Sequence, residues 1–146
     1  MGVDPAESAV AAELIAAYGG ARYRIEAPEG AFTVVCSECH AGLERLLAAA
    51  GARSAALITA HNPRGRRADP SANTAAEAAL GAAIADLGLE SLVTAGVDPN
   101  GVWPEELGRL IFDIGRAAAI DIAARFGQDA ILWCAVGAAP ELVLLR

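Results

Sequence analysis

Apolar positions recur along this chain at two spacings, every third or fourth residue in four stretches and every second residue in most of the others. The first stretch opens on Asp4-Pro5-Ala6-Glu7: a capping Asp, proline at the first helical position, and Glu three residues after the cap. Val10, Leu14, Ala17 and Tyr18 follow at helical spacing, and Gly19-Gly20 stops the helix. "ARYRIEA" then alternates Tyr23 and Ile25 against Arg22, Arg24 and Glu26, as a half-buried strand does. The turn Ala27-Pro28-Glu29-Gly30 leads into a second strand, "AFTVV". Ser37 is placed to cap a second helix carrying Leu43, Leu46, Leu47 and Ala50, closed by Gly51.

"SAALITA" is apolar on both faces apart from Ser54 and Thr59, which predicts a central strand. A third helix, capped by Asp69 with Pro70 at its first position, runs to Gly88. "LESLVTAGV" and "LGRLIFDI" are two more strands; in the second, Leu110, Phe112 and Ile114 point one way, Arg109 and Asp113 the other. "RAAAIDIAARF" is a fourth helix burying Ala119, Ile122, Ala123 and Phe126, with Asp121 and Arg125 four apart on its wet face. "AILWCAV" and "ELVLLR" close the chain as a hairpin. The order αββαβαββαββ predicts a single α+β domain over residues 1–146: a mixed, mainly antiparallel sheet covered by four helices.

Composition narrows the function classes. Hydrophobic residues make up 55 % of the chain, too many for disorder, although alanine contributes little area per residue. The formal charge of −7 argues against docking on nucleic acid or an anionic membrane, both of which need a basic face. No apolar run approaches the length of a membrane span, and "MGVDPAESAV" lacks the basic and apolar regions of a secretory signal. With three cysteines, this predicts a protein of the reducing bacterial cytoplasm; its lysine-free, arginine-only basic set fits a GC-rich codon bias.

Cys36-Ser37-Glu38-Cys39-His40 spells Cys-x-x-Cys-His, a pattern shared by haem attachment, redox dithiols and zinc half-sites. A cysteine ending a strand and another opening a helix would be activated by helix N-terminal amides. Glu38 between them opposes thiolate formation, and no βαβ unit precedes the pair. Zinc would need Cys134 with His40 or His61, and haem would need a second axial ligand such as His61. The motif is expected to be structural, with the cysteines as small apolar fillers and His40 as the third residue of a helix. No cofactor is expected.

Polar groups converge elsewhere. Asn73, Glu77, Leu80, Ile84 and Leu87 trace one stripe of the third helix, so an amide and a carboxylate share its inward face. The third strand ends in "ITAHNPRG", which delivers Asn62 and Arg64 just before that helix. "DPNGVWPEELG" carries Trp103, Glu105 and Glu106 in a connection too long for a simple turn. Arg64, Arg66 and Arg67 form a basic knot beside a helix N-terminus.

These stretches resemble an uncharacterised bacterial family, domain of unknown function 3293. Its pattern runs Thr-Ala-aromatic-Asn-Pro, Glu-Asn, Trp-x-Glu-Glu-Ser and Phe-Gly-Gln-x-Ala. Matching positions are Thr59, Ala60, Asn62, Pro63, Asn73, Trp103, Glu105, Glu106, Phe126, Gly127, Gln128 and Ala130. His61, Ala72 and Leu107 depart from it. The resemblance covers about residues 54–145 and implies a family without an activity.

Two functions follow as expectations. The first is a small polar ligand held at the start of the third helix by Asn62, Arg64, Asn73, Glu77, Trp103, Glu105 and Gln128, with Glu77 or Glu105 as the base should catalysis occur. The second is a structural or interaction module, homodimeric through the C-terminal hairpin. Thiol redox or metal binding through Cys36, Cys39, His40 and Cys134 is a further alternative.

Overall fold

The computed structural model describes residues 2–146. Its elements are α1 (Ala12–Gly20), β1 (Arg22–Ile25), β2 (Phe32–Val35), α2 (Ala41–Ala50), β3 (Ser54–Thr59), a 3-10 turn (Pro63–Gly65), α3 (Pro70–Asp86), β4 (Ser91–Val97), β5 (Glu106–Phe112), α4 (Arg116–Arg125), β6 (Ala130–Ala135) and β7 (Glu141–Leu144). The α+β order is the one the spacing predicts.

The strands form one sheet in the order β2-β1-β4-β5-β3-β6-β7. Every pairing is antiparallel, so the mixture of directions allowed by the sequence resolves to one. β3 lies between β5 and β6, as its doubly apolar pattern requires, with Ala55, Ala56, Leu57 and Ile58 all buried. Alternation along each strand feeds two cores. On one face Leu80 and Ile84 of α3 and Ala119, Ile122 and Ala123 of α4 pack on Ala56, Ile58, Ile111 and Ile131. On the other, Leu43 and Leu47 of α2 pack on Ile25, Leu57, Leu110 and Leu132. Burying each such leucine or isoleucine contributes about 1.5–3 kcal/mol.

Four local expectations are corrected. Asp4 does form a turn, accepting the Ala6 N–H on its side chain at 2.8 Å and the Glu7 N–H on its carbonyl at 2.9 Å. That turn does not propagate, and the helix starts at Ala12 without a side-chain cap. Tertiary pairing overrides the local signal. Val3 bridges Leu144, Ser8 Oγ donates to the Arg146 carbonyl, and Val10 is buried.

The second correction concerns the cysteine motif. Ser37 has φ +69°, donates its N–H to the Pro140 carbonyl at 2.8 Å, and caps nothing. His40 is the N-cap, its Nδ1 accepting the Gly42 N–H at 3.0 Å, so Cys39 lies outside the helix start and His40 is not its third residue. Third, Asp113 at φ +57° breaks the alternation after β5, and Ile114 joins the α3/α4 core rather than following Leu110 and Phe112. Fourth, Leu87 follows the end of α3 and is 50 % exposed; Leu89 packs on the core instead.

The C-terminal hairpin is formed, with β7 at one edge of the sheet. Val3 N–H donates to the Leu144 carbonyl at 3.0 Å, so part of that edge is occupied within the chain.

Candidate functional site

β3 delivers the chain into a polar knot. Thr59 Oγ1 donates to the Leu107 carbonyl and accepts the His61 N–H, tying the end of β3 to β5. Asn62 follows in the left-handed region (φ 48°, ψ 60°), which asparagine tolerates better than most residues. It is 4 % exposed, and the protein uses all its polar groups. Its backbone N–H donates to Asn73 Oδ1 at 2.9 Å. Its Oδ1 accepts from Ala68 N–H and Asn73 Nδ2 at 2.9 and 3.0 Å. Its Nδ2 donates to Glu106 Oε1 at 2.9 Å.

A second turn locks onto the first. Arg64 N–H donates to the Gly127 carbonyl at 2.8 Å, and Gln128 Nε2 donates to the carbonyls of His61 and Phe126 at 3.1 and 3.3 Å. Gly127 has φ +69°, and a Cβ there would lie 2.9 Å from Pro63 Cβ. Only glycine fits so close an approach. The Asn-Pro turn, the Phe-Gly-Gln turn, the start of α3 and the start of β5 thus form one hydrogen-bonded unit.

Beside this knot a hollow opens between α1 and the sheet. It comprises about 520 Å³ including its mouth, of which about 70 Å³ admits the centre of a water molecule. Leu14 and Tyr18 of α1, Tyr23 of β1, Gly96 of β4, Trp103 and Glu106 line it. Tyr18, Tyr23 and Glu106 also line a second, smaller recess that reaches Thr59, Gln128 and Leu142. Glu106 stands between the two.

Electrostatics single out the same carboxylate. Burial raises the Glu106 carboxyl above the ordinary glutamate range, and the Asn62 hydrogen bond opposes that rise. Its Oε1 accepts from Asn62; its Oε2 accepts no hydrogen bond from the described residues. Burial, followed by the charge of Asp129, pushes the Tyr18 phenol up, and burial pushes Tyr23 up, so both rings stay neutral. Tyr18 Oη donates to Asp129 Oδ2 at 3.1 Å, and Tyr23 Oη donates to the Tyr18 carbonyl at 2.8 Å. Asp98, at the rim, is held below the ordinary range by the backbone N–H groups of Asn100, Trp103 and Val102.

The remaining candidates are placed as follows. Glu77 faces the opposite side of the sheet, in a two-pronged pair with Arg109: Nε to Oε1 at 2.7 Å and Nη2 to Oε2 at 3.3 Å. It does not line the hollow. Glu105 is exposed and reaches Arg24 at 3.3 Å. The Arg64 side chain is exposed; its backbone joins the knot. Trp103 lines the hollow, and the Arg67 guanidinium lies 5.5 Å from its ring centre. Asn62, Asn73 and Gln128 come together, bonded to protein groups. His61 is half-buried, and burial lowers its pKa against the opposing pull of Glu77.

Cys36 is half-buried with Sγ 3.7 Å from the Pro140 carbonyl, Cys39 is exposed, and Cys134 is buried. Burial pushes the Cys134 thiol up to about 12, away from thiolate chemistry. Among the described residues no group of three or more His, Cys, Asp or Glu side chains is arranged to hold a metal ion. No helix among them is long and apolar enough to cross a membrane.

Sequence reasoning passed over Glu106 as a site residue in favour of Glu105 and Glu77. The missed signal was parity: Glu106, Gly108, Leu110 and Phe112 share one face of β5, and the last two are core. Tyr18 and Tyr23 carried no such signal, because each reads equally well as core.

Comparison with curated proteins and with solved structures gave no match. A family model described as "Protein of unknown function (DUF3293)" matches residues 58–131, just over half of the chain. That span holds the whole knot around Asn62, from Thr59 to Gln128, together with Trp103 and Glu106. The chain belongs to the DUF3293 family.

Proposed function

We propose that the protein binds a small polar molecule in the hollow between α1 and the sheet, with Glu106 as the recognising group. One observation carries this reading: a half-buried carboxylate has one oxygen fixed by Asn62 and the other without a donor among the described residues. The second oxygen faces the hollow, where a ligand donor can take the place of solvent. The knot behind Glu106 supports the reading from a second direction. Asn62 is locked by four hydrogen bonds, so the carboxylate is oriented before any ligand arrives. The apolar and aromatic walls with one convergent charged group match the composition of small-molecule sites.

A screen of small polar fragments, followed by the NMR signals of Tyr18, Tyr23 and Trp103, tests it. At least one fragment is expected to shift all three saturably, with loss of the effect in Glu106→Gln. Fragments whose shifts map only to other surfaces would sink the proposal.

A further inference from the structure

We infer that the ligand this hollow accepts is a small organic cation, an ammonium head on a short apolar stem. The inference rests on the binding reading above and names its chemical class. Three observations converge on it.

First, among the described residues the hollow and its recess are lined by Glu106 and Asp98 and by no Arg, Lys or His side chain. An anionic ligand would meet two carboxylates there, with the Arg67 guanidinium near the Trp103 ring but outside the lining, whereas a cation is drawn in by them and by the chain's net charge of −7.

Second, the polar side chains of the lining are short of free donors. The Tyr18 and Tyr23 hydroxyl protons are committed to Asp129 and to the Tyr18 carbonyl. Thr59 Oγ1 donates to Leu107, and Gln128 Nε2 to His61 and Phe126. Glu106 Oε2 and Gln128 Oε1 remain as acceptors without a donor among the described residues. Among the described residues the Trp103 indole N–H is the one side-chain donor left over in this lining. Such a surface calls for a molecule rich in donors, and an ammonium carries three with no acceptor.

Third, three aromatic rings, Tyr18, Tyr23 and Trp103, wall the same space. Trp103 already holds the Arg67 guanidinium near its ring, while the two tyrosine rings carry no cation among the described residues. Ring faces attract a cation, and more strongly where water is excluded. The 70 Å³ open to water centres limits the guest to a few heavy atoms, short of a nucleotide or a peptide.

Three matched probes test this on the intact protein: n-butylammonium, n-butanol and butyrate, each titrated while the Tyr18, Tyr23 and Trp103 signals are followed. Butylammonium is expected to bind saturably, at least about tenfold more tightly than either match. In Glu106→Gln, which keeps an acceptor for Asn62 Nδ2, that preference is expected to fall about tenfold, to the level of butanol. Preference for butanol or butyrate in the wild-type protein overturns the cation class while leaving the binding reading intact. No response to any of the three also overturns the cation class, and the wider polar-fragment screen then decides the binding reading separately. A preference unchanged in a folded Glu106→Gln protein overturns the inference as well, because the cation would then be held elsewhere.

Discussion

The side-chain amide of Asn62 donates to Glu106 Oε1 at 2.9 Å, across 44 positions of sequence. The pair joins the end of β3 to the start of β5, and Asn73 of α3 completes it from the other side. A half-buried carboxylate with a raised pKa is thereby fixed at the edge of an open hollow.

Replacing Asn62 with alanine removes three side-chain hydrogen bonds and puts an alanine at φ 48°. The expected loss is about 2–4 kcal/mol in urea unfolding, because Glu106, Asn73 and Ala68 N–H all lose a partner. Asn62→Gly loses the same bonds but accommodates the left-handed backbone, and should be less damaging by about 1 kcal/mol. A loss below about 1 kcal/mol in both variants would show that water replaces the side chain.

Glu106 gives the stability a pH dependence whose sign is fixed. Burial is the larger influence and raises its folded pKa. Its contribution is therefore fully present below the ordinary glutamate pKa and is lost as pH rises through the folded value. Glu106→Gln does not ionise, so its stability relative to wild type should increase between about pH 4 and pH 7. Urea midpoints measured across that window check the slope; the opposite slope refutes the burial argument.

The Glu77–Arg109 pair ties α3 to β5 on the far side of the sheet, its side chains 15 % and 26 % exposed. Glu77→Ala should cost about 1–2 kcal/mol, since the guanidinium is left half-buried without its carboxylate. A double-mutant cycle with Arg109→Ala is expected to return a coupling of about 1 kcal/mol. Ligand binding in the hollow should be unchanged in the single variant, as Glu77 does not line it.

Asp129 anchors α1. Its side chain is fully buried and accepts from Tyr18 Oη at 3.1 Å and Arg146 Nε at 2.7 Å. α1 itself buries no residue, so this tyrosine is its main polar attachment. Asp129→Asn should cost about 2–3 kcal/mol, less than for a wholly buried pair because the Arg146 side chain is 35 % exposed. Tyr18→Phe should cost about 1 kcal/mol and speed hydrogen exchange in α1. Unchanged exchange in α1 would mean that Leu14 and Ala17 alone hold the wall of the hollow.

Much of the fold was legible because it is written in local period. The doubly apolar "SAALITA" marked a central strand, and the stripe Ala119, Ile122 and Ala123 marked the buried side of α4. Where a local signal met a competing long-range partner, it lost. Asp4-Pro5-Ala6-Glu7 has the composition of a helix start, yet Val3 pairs with Leu144 and Ser8 with Arg146, so the helix begins eight residues later than the cap. Ser37 looked like a cap until its N–H was taken by Pro140, and the rationale for an activated Cys39 went with it.

The sequence alone determined the element order, the two apolar faces and the family, because each depends on residue types at short, fixed intervals. Tertiary structure decided which acidic residue meets the hollow. Glu77, Glu105 and Glu106 are alike in composition, and only the pleat of β5 and the packing of α1 distinguish them. Glu77 meets Arg109, Glu105 reaches Arg24 in solvent, and Glu106 turns inward to Asn62. Burial and partner are properties of where the chain returns to itself, and no window of neighbouring residues contains them.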